Sequence, residues 1–190
     1  IKRCVGIPGD TIQVVNGVLF VNGHKGESFP HSKMSYLITT NGTGLSEDFM
    51  TENSLDLIQT QGNMYLMHVP NDKVDILRKT SNIIDVKLNA FPLYYTGDGA
   101  FPHDSVNFKW NRDNYGPLVI PQKGMTVTLT SSNIALYRRV IANYEGNQFE
   151  EKNGKFYING KETNSFTFQM DYYWLMGDNR RGSFDSRGFG

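Results

Sequence analysis

Apolar and polar positions alternate along much of the chain in short runs, and turn residues cut the runs every few positions. In "DTIQVVNGVLFVNG", 10 to 23, two alternating stretches flank Asn16-Gly17, a dipeptide that supplies the two positive φ angles of a type I′ turn. A β-hairpin is predicted there. "KNGKFYINGK", 152 to 161, repeats the grammar: Asn153-Gly154, four residues with an aromatic, then Asn159-Gly160. Two copies are too few for a solenoid, and a shared hairpin vocabulary is the simpler reading. "MYLMHV", "IIDVKL", "LVIP" and "MTVTLT" read as strands, whereas "YYTGDGAFPHD" and "WNRDNYGP" read as loops. Three segments carry helical signals. "SEDFMTENSLDLIQ" opens with a capping residue, Ser46, and acids in the first turn, and "PNDKVDILRK", 70 to 79, opens similarly. "SSNIALYRRVIANYEG", 131 to 146, puts Tyr137, Val140, Ile141 and Tyr144 on one helical face and ends at a glycine. The pattern as a whole predicts a mainly β fold with short helices.

Composition narrows the setting. At 190 residues the chain is one domain or two small ones, and 38% apolar with 13% aromatic residues suits an ordered β-rich protein. Nineteen basic and nineteen acidic residues cancel, so no net field draws the chain to nucleic acid, which is excluded as an expected partner. Cys4 is the single cysteine, and His24, His31, His68 and His103 show no ligand spacing, so neither a disulfide nor a metal site is implied. Cys4 sits beside Val5 without a histidine partner and reads as a small buried filler rather than a nucleophile. No run of eighteen apolar residues occurs, and "IKRCVGIPGD" opens in mid-pattern without Met, signal peptide or helix start, as expected of a piece of a longer chain. The aromatic run "FTFQMDYYWLMG", 166 to 177, reads as core packing ahead of a tight loop.

That loop, "GDNRRGSFDSRG" at 177 to 188, concentrates charge and glycine in twelve positions. A calcium loop would need a bidentate Glu at the twelfth position from Asp178, and Phe189 stands there. Asp178 and Asp185 each have an arginine nearby, so ion pairing is the better reading than a glycosidase pair. Set beside "IKRCVGIPGD", 1 to 10, the loop resembles the type I signal peptidases, membrane-anchored serine proteases that remove signal peptides. One block of that family reads K-R-x-x-G-x-P-G-D, and Lys2, Arg3, Gly6, Pro8, Gly9 and Asp10 meet it. The other reads G-D-N-R-x-x-S-x-D-S-R-x-x-G, met by Gly177, Asp178, Asn179, Arg180, Ser183, Asp185, Ser186, Arg187 and Gly190.

The resemblance implies a serine–lysine dyad without histidine or cofactor. A hydroxyl nucleophile is weak until a base takes its proton, and a lysine amine serves where a dry site keeps it neutral. By resemblance Lys2 is that base, Ser183 the serine that orients its amine at hydrogen-bonding distance, and Ile1 a wall of the small pocket for the residue before the cleaved bond. Strand alternation turns Lys2 and Cys4 to one face and Arg3 and Val5 to the other. Arg3 is expected to pair with Asp178, and Asp185 with Arg187, stiffening the loop that carries Ser183. The family's nucleophile belongs to an S-M-x-P-like motif upstream of the lysine block, and no such stretch occurs in these 190 residues; the chain by itself is therefore expected to be inactive. The distance between the blocks suggests a catalytic β core of residues 1–28 plus 145–190, with 29–144 as an inserted accessory domain. Expected partners are signal-peptide-bearing precursors and, through an anchor outside this chain, the outer face of a bacterial inner membrane. A non-catalytic β-rich binding or assembly module that keeps the two blocks as scaffold is the alternative.

Overall fold

The computed structural model describes residues 2–190, and the expectation for Ile1 lies outside them. The chain is mainly β, 36% strand and 16% helix, in several small antiparallel sheets. The first is a meander of Thr11–Val15, Val18–Val21 and His24–Lys25. It turns at Asn16-Gly17 and Asn22-Gly23, with φ of 48° and 79°, then 52° and 78°. Alternation along Thr11–Val15 sends Ile12 and Val14 inward, at 0% and 2% exposure. On its other side this strand pairs with Tyr115–Val119, so a segment from the middle of the chain completes the N-terminal sheet.

The second sheet is built from Lys33–Thr40, Met64–Pro70, Asp56–Gln61 and Ile83–Leu88, with Lys33–Thr40 between Met64–Pro70 and Ile83–Leu88. Its core of Ile38, Met67, Val69 and Val86 closes over Leu77 of the helix Val74–Lys79. The helix expected from Ser46 is short. Ser46 does cap it, its Oγ accepting from Phe49 N, but the helix ends at Glu52, and Asp56–Gln61 is an edge strand rather than further helix. Ser54 takes a positive φ of 53° between them, a conformation that stops helix propagation.

A third group joins the meander Phe149–Lys152, Lys155–Ile158 and Lys161–Thr163 to the pair Thr126–Thr128 and Ser165–Thr167. Its core, Val127, Leu129, Ile134, Ile141, Phe156 and Phe168, is roofed by the helix expected at 131–146. That helix runs as α over Ile134–Arg139 and widens to a π turn over Val140–Tyr144 before Gly146, whose φ is 68°. The wide turn leaves Ile141 at 0% exposure and Tyr144 at 43%. Finally, Arg3–Gly6 pairs antiparallel with Trp174–Met176. Trp174 and Met176 join Ile12, Val14, Phe101, Tyr115, Leu118 and Ile120 in one cluster, so residues near 100–120 share a core with both ends of the described chain. No helix among the described residues is long and apolar enough to cross a membrane.

Candidate functional site

The pairing of Arg3–Gly6 with Trp174–Met176 sets Arg3 opposite Met176, which brings "IKRCVGIPGD" and "GDNRRGSFDSRG" together although they lie some 175 residues apart. Lys2 precedes the first strand and Gly177 follows the second. A methyl built on Gly177 would lie 1.9 Å from Ser183 Oγ and 3.4 Å from Lys2 Cδ, so both side chains crowd the same bare Cα. No hydrogen bond joins Lys2 to Ser183. Ser183 is buried at 8% exposure, whereas Lys2 is exposed.

Around this point the charged residues form three ion pairs, one half-exposed and two largely buried. Arg3 meets Asp178 in a two-pronged clamp, Nε to Oδ1 at 3.1 Å and Nη2 to Oδ2 at 3.0 Å, at half-exposed positions. The same guanidinium lies 3.8 Å above the Phe29 ring. The hydrogen bond from Arg3 is the main cause that holds the Asp178 carboxyl below the ordinary range. Deeper, Arg187 donates from Nε and Nη2 to Asp185 at 3.0 and 2.7 Å, with both side chains almost wholly excluded from solvent. Burial acts to raise the Asp185 pKa, but the Arg187 bonds and charge, with the amides of Gly177 and Arg187, outweigh it and the net shift is downward. Arg187 also reaches the carbonyls of Arg112 and Arg180, at 3.0 and 2.6 Å. It therefore ties together both ends of the loop and a segment near residue 112.

The third pair was not legible in the sequence. Arg181 donates to Asp113 Oδ2 at 2.5 Å and stacks 3.6 Å over Phe91, while Asp113 also accepts from Phe91 N at 2.8 Å. Asp113 lies in "WNRDNYGP", where Asn111 Oδ1 accepts from the amides of Asp113 and Asn114 and its Nδ2 donates to the carbonyls of Pro92 and Tyr95. Asn111 and Asp113 are fully buried. Polar residues wedged between aromatics were the available signal, since such residues are kept inside only when bonded. Arg112 Nη1, from the same segment, donates to the Ser183 carbonyl at 3.3 Å.

The second sheet also touches the site. Lys33 N donates to Asp178 O at 2.8 Å and Arg180 N to Lys33 O at 2.9 Å, forming a parallel bridge between Lys33 and Asn179. Asn179 Oδ1 accepts from Gly182 N at 2.8 Å and its Nδ2 meets His68 Nδ1 at 3.0 Å. Cys4, expected to be a buried filler, is exposed, its thiol 3.4 Å from the Gly6 carbonyl. The strand is regular through Cys4, which stands opposite Leu175, and bulges only after it.

A sequence model of the family described as Signal peptidase, peptidase S26, matches residues 1–82. The match supports a relationship to the signal peptidases, and with it a peptidase. It takes in 82 of 190 residues: the first block, the N-terminal meander and most of the second sheet. The second block lies outside the matched segment, yet it is the part of the chain that packs against the first block. Comparison with curated proteins and with solved structures gave no match.

Proposed function

We propose that this chain is the base-carrying region of a signal peptidase I, a serine endopeptidase that cleaves secretory precursors after small residues at a membrane surface. The observation that carries the reading is the convergence of Lys2 and Ser183 on Gly177, with the Arg3–Asp178 clamp alongside. In this reading the Lys2 amine, when neutral, takes the proton of a serine hydroxyl as its oxygen attacks the scissile carbonyl, and returns that proton to the leaving amine. Water then attacks the acyl-serine ester, with the same amine as base, and frees the serine. Ser183 is the positioning residue that aims the amine. Arg3, Asp178, Asp185 and Arg187 hold the loop still. The attacking serine is assigned to neither Ser183 nor Ser186, and comes from outside these 190 residues. Because Lys2 is exposed here, the reading further requires that added chain or bound substrate cover it and exclude water.

The test is cleavage of a purified precursor by the longer protein in which this region is embedded. Lys2→Ala should abolish cleavage, and Lys2→Arg should fail as well, since a guanidinium keeps its proton near pH 7. Both variants should melt close to the parent, because an exposed side chain contributes little to stability. Cleavage at the parental rate by either one overturns the base assignment, whereas absence of cleavage by the parent itself favours the scaffold reading. The 190 residues alone should cleave nothing.

A further inference from the structure

Arg180 differs from the other arginines of the two blocks. Arg3, Arg181 and Arg187 each bond a carboxylate, whereas Arg180 is 6% exposed and its Nη1 is buried without a hydrogen-bond partner among the described residues. A guanidinium cannot neutralise itself, so an unpaired buried one calls for an anion. Burial pulls its pKa down, and the Asp178 and Asp185 charges that act against this are already engaged by Arg3 and Arg187. Ser32, 3% exposed, is in the same position: its Oγ has no partner among the described residues.

Arg180 and Ser32 line one cavity of about 160 Å³, beneath the N-terminal meander and at the start of the strand Lys33–Thr40. Leu19, Phe29, Met34 and Leu88 supply apolar wall, and Lys25 and Glu27 stand at exposed positions of the lining. Volume and wall select the ligand. A cavity of roughly 150 Å³ lined by apolar side chains admits one benzene ring, which sets the scale of the body that fits. A single guanidinium with one hydroxyl matches the two oxygens of a carboxylate. A phosphate would bring a second negative charge towards Glu27 and no apolar body for the wall.

We propose that this cavity binds a small organic carboxylate, its oxygens held by Arg180 and Ser32 and a ring-sized apolar body against Leu19, Phe29, Met34 and Leu88. The site is separate from the convergence of Lys2 and Ser183 and does not depend on the peptidase reading. It abuts the clamp, however, because Phe29 is both cavity wall and the ring beneath Arg3.

The experiment titrates the 190-residue chain with benzoate, following side-chain NMR signals of Arg180 and the methyl groups of Leu19, Met34 and Leu88. Benzoate should shift these signals saturably. Benzamide, of the same shape without charge, should bind roughly tenfold more weakly, the worth of one charge-assisted hydrogen bond over a neutral one. Ser32→Ala should weaken benzoate several-fold and Arg180→Gln should abolish it. Should Arg180→Gln fail to fold, Ser32→Ala and the benzamide comparison decide alone. Equal binding of benzamide, benzoate binding indifferent to Ser32→Ala, or inorganic phosphate shifting the same signals as strongly would each overturn the proposal. So would binding seen only in Glu27→Gln, which would make Glu27 the natural counter-ion of Arg180, and the absence of any shift, which would leave the cavity to water.

Discussion

Gly177 shows how much depends on one missing side chain. A Cβ there would meet Ser183 Oγ at 1.9 Å and Ser183 Cβ at 2.4 Å, distances no real contact tolerates, so Gly177→Ala must push Ser183 aside. The expected cost is about 1–3 kcal/mol of overpacking, read from urea unfolding. If Ser183 orients Lys2 as proposed, cleavage by the longer protein of that proposal should fall far more than this destabilisation explains. Asp185 gives the second residue-scale prediction. Its carboxyl is held below the ordinary range in the folded state, so it binds its proton less readily there than in the unfolded chain. The stability it contributes is present above an unfolded pKa of about 3.9 and is lost as pH falls through the lower folded value. Acid unfolding of the parent should therefore steepen below about pH 4. Asp185→Asn, which strands Arg187 inside, should cost about 3–5 kcal/mol at neutral pH and should flatten that acid limb. The residues of both blocks were legible because their types and spacing are specific, and the Arg3–Asp178 and Asp185–Arg187 pairs form as the charges suggested. Arg181–Asp113 was not legible, because nothing in either local sequence announces a partner 68 residues away.

Among the elements, those whose turn chemistry is local were read well. Both Asn-Gly meanders form, with the second asparagine of each bracing the meander in the same way: Asn22 Oδ1 accepts from Thr11 N at 2.8 Å, and Asn159 Oδ1 from Gln148 N at 3.0 Å. The central strand of the second sheet, Lys33–Thr40, went unread. Met34, Ile38 and Thr40 are buried on one face, but Ser35 on the other is buried too, and the apolar run Tyr36-Leu37-Ile38 interrupts the period that marks a half-exposed strand. This sheet contacts the candidate site through His68. Burial lowers the His68 pKa, with Arg181 and Lys33 acting in the same sense and Asp56 against them, so the ring stays neutral and Nδ1 can accept from Asn179 Nδ2. Here the stability is present above the unfolded pKa of about 6.5 and is lost as pH falls below it. Between pH 7 and 5 the melting temperature should drop, and in His68→Phe the part of that drop worth about one hydrogen bond, roughly 0.5–1.5 kcal/mol, should vanish. An unchanged slope in His68→Phe would place the acid sensitivity elsewhere.

At the scale of the whole molecule, three apolar clusters are joined by the two blocks. The cluster around Ile12 takes residues from near 12, 100, 118 and 174, and Arg187 fastens the carbonyls of Arg112 and Arg180 beside it. The sequence spacing suggested that 29–144 is a single insertion. Tyr115–Val119, which falls within that range, is instead a strand of the N-terminal sheet, and residues 33–88 carry a sheet and core of their own. No sequence pattern could show this, because the pairing of Thr11–Val15 with Tyr115–Val119 spans some hundred residues and is decided by packing alone. The pairing of Arg3–Gly6 with Trp174–Met176 spans still more. During synthesis at about 5–20 residues per second, the first strand waits roughly ten to thirty seconds on the ribosome before its partner exists. Through that interval its edge is open and Trp174 has yet to arrive over Gly6. Loop closure over such a length is slow and entropically costly even after release. The joint that brings the two blocks together therefore forms late within these 190 residues, only once Trp174–Met176 has been translated.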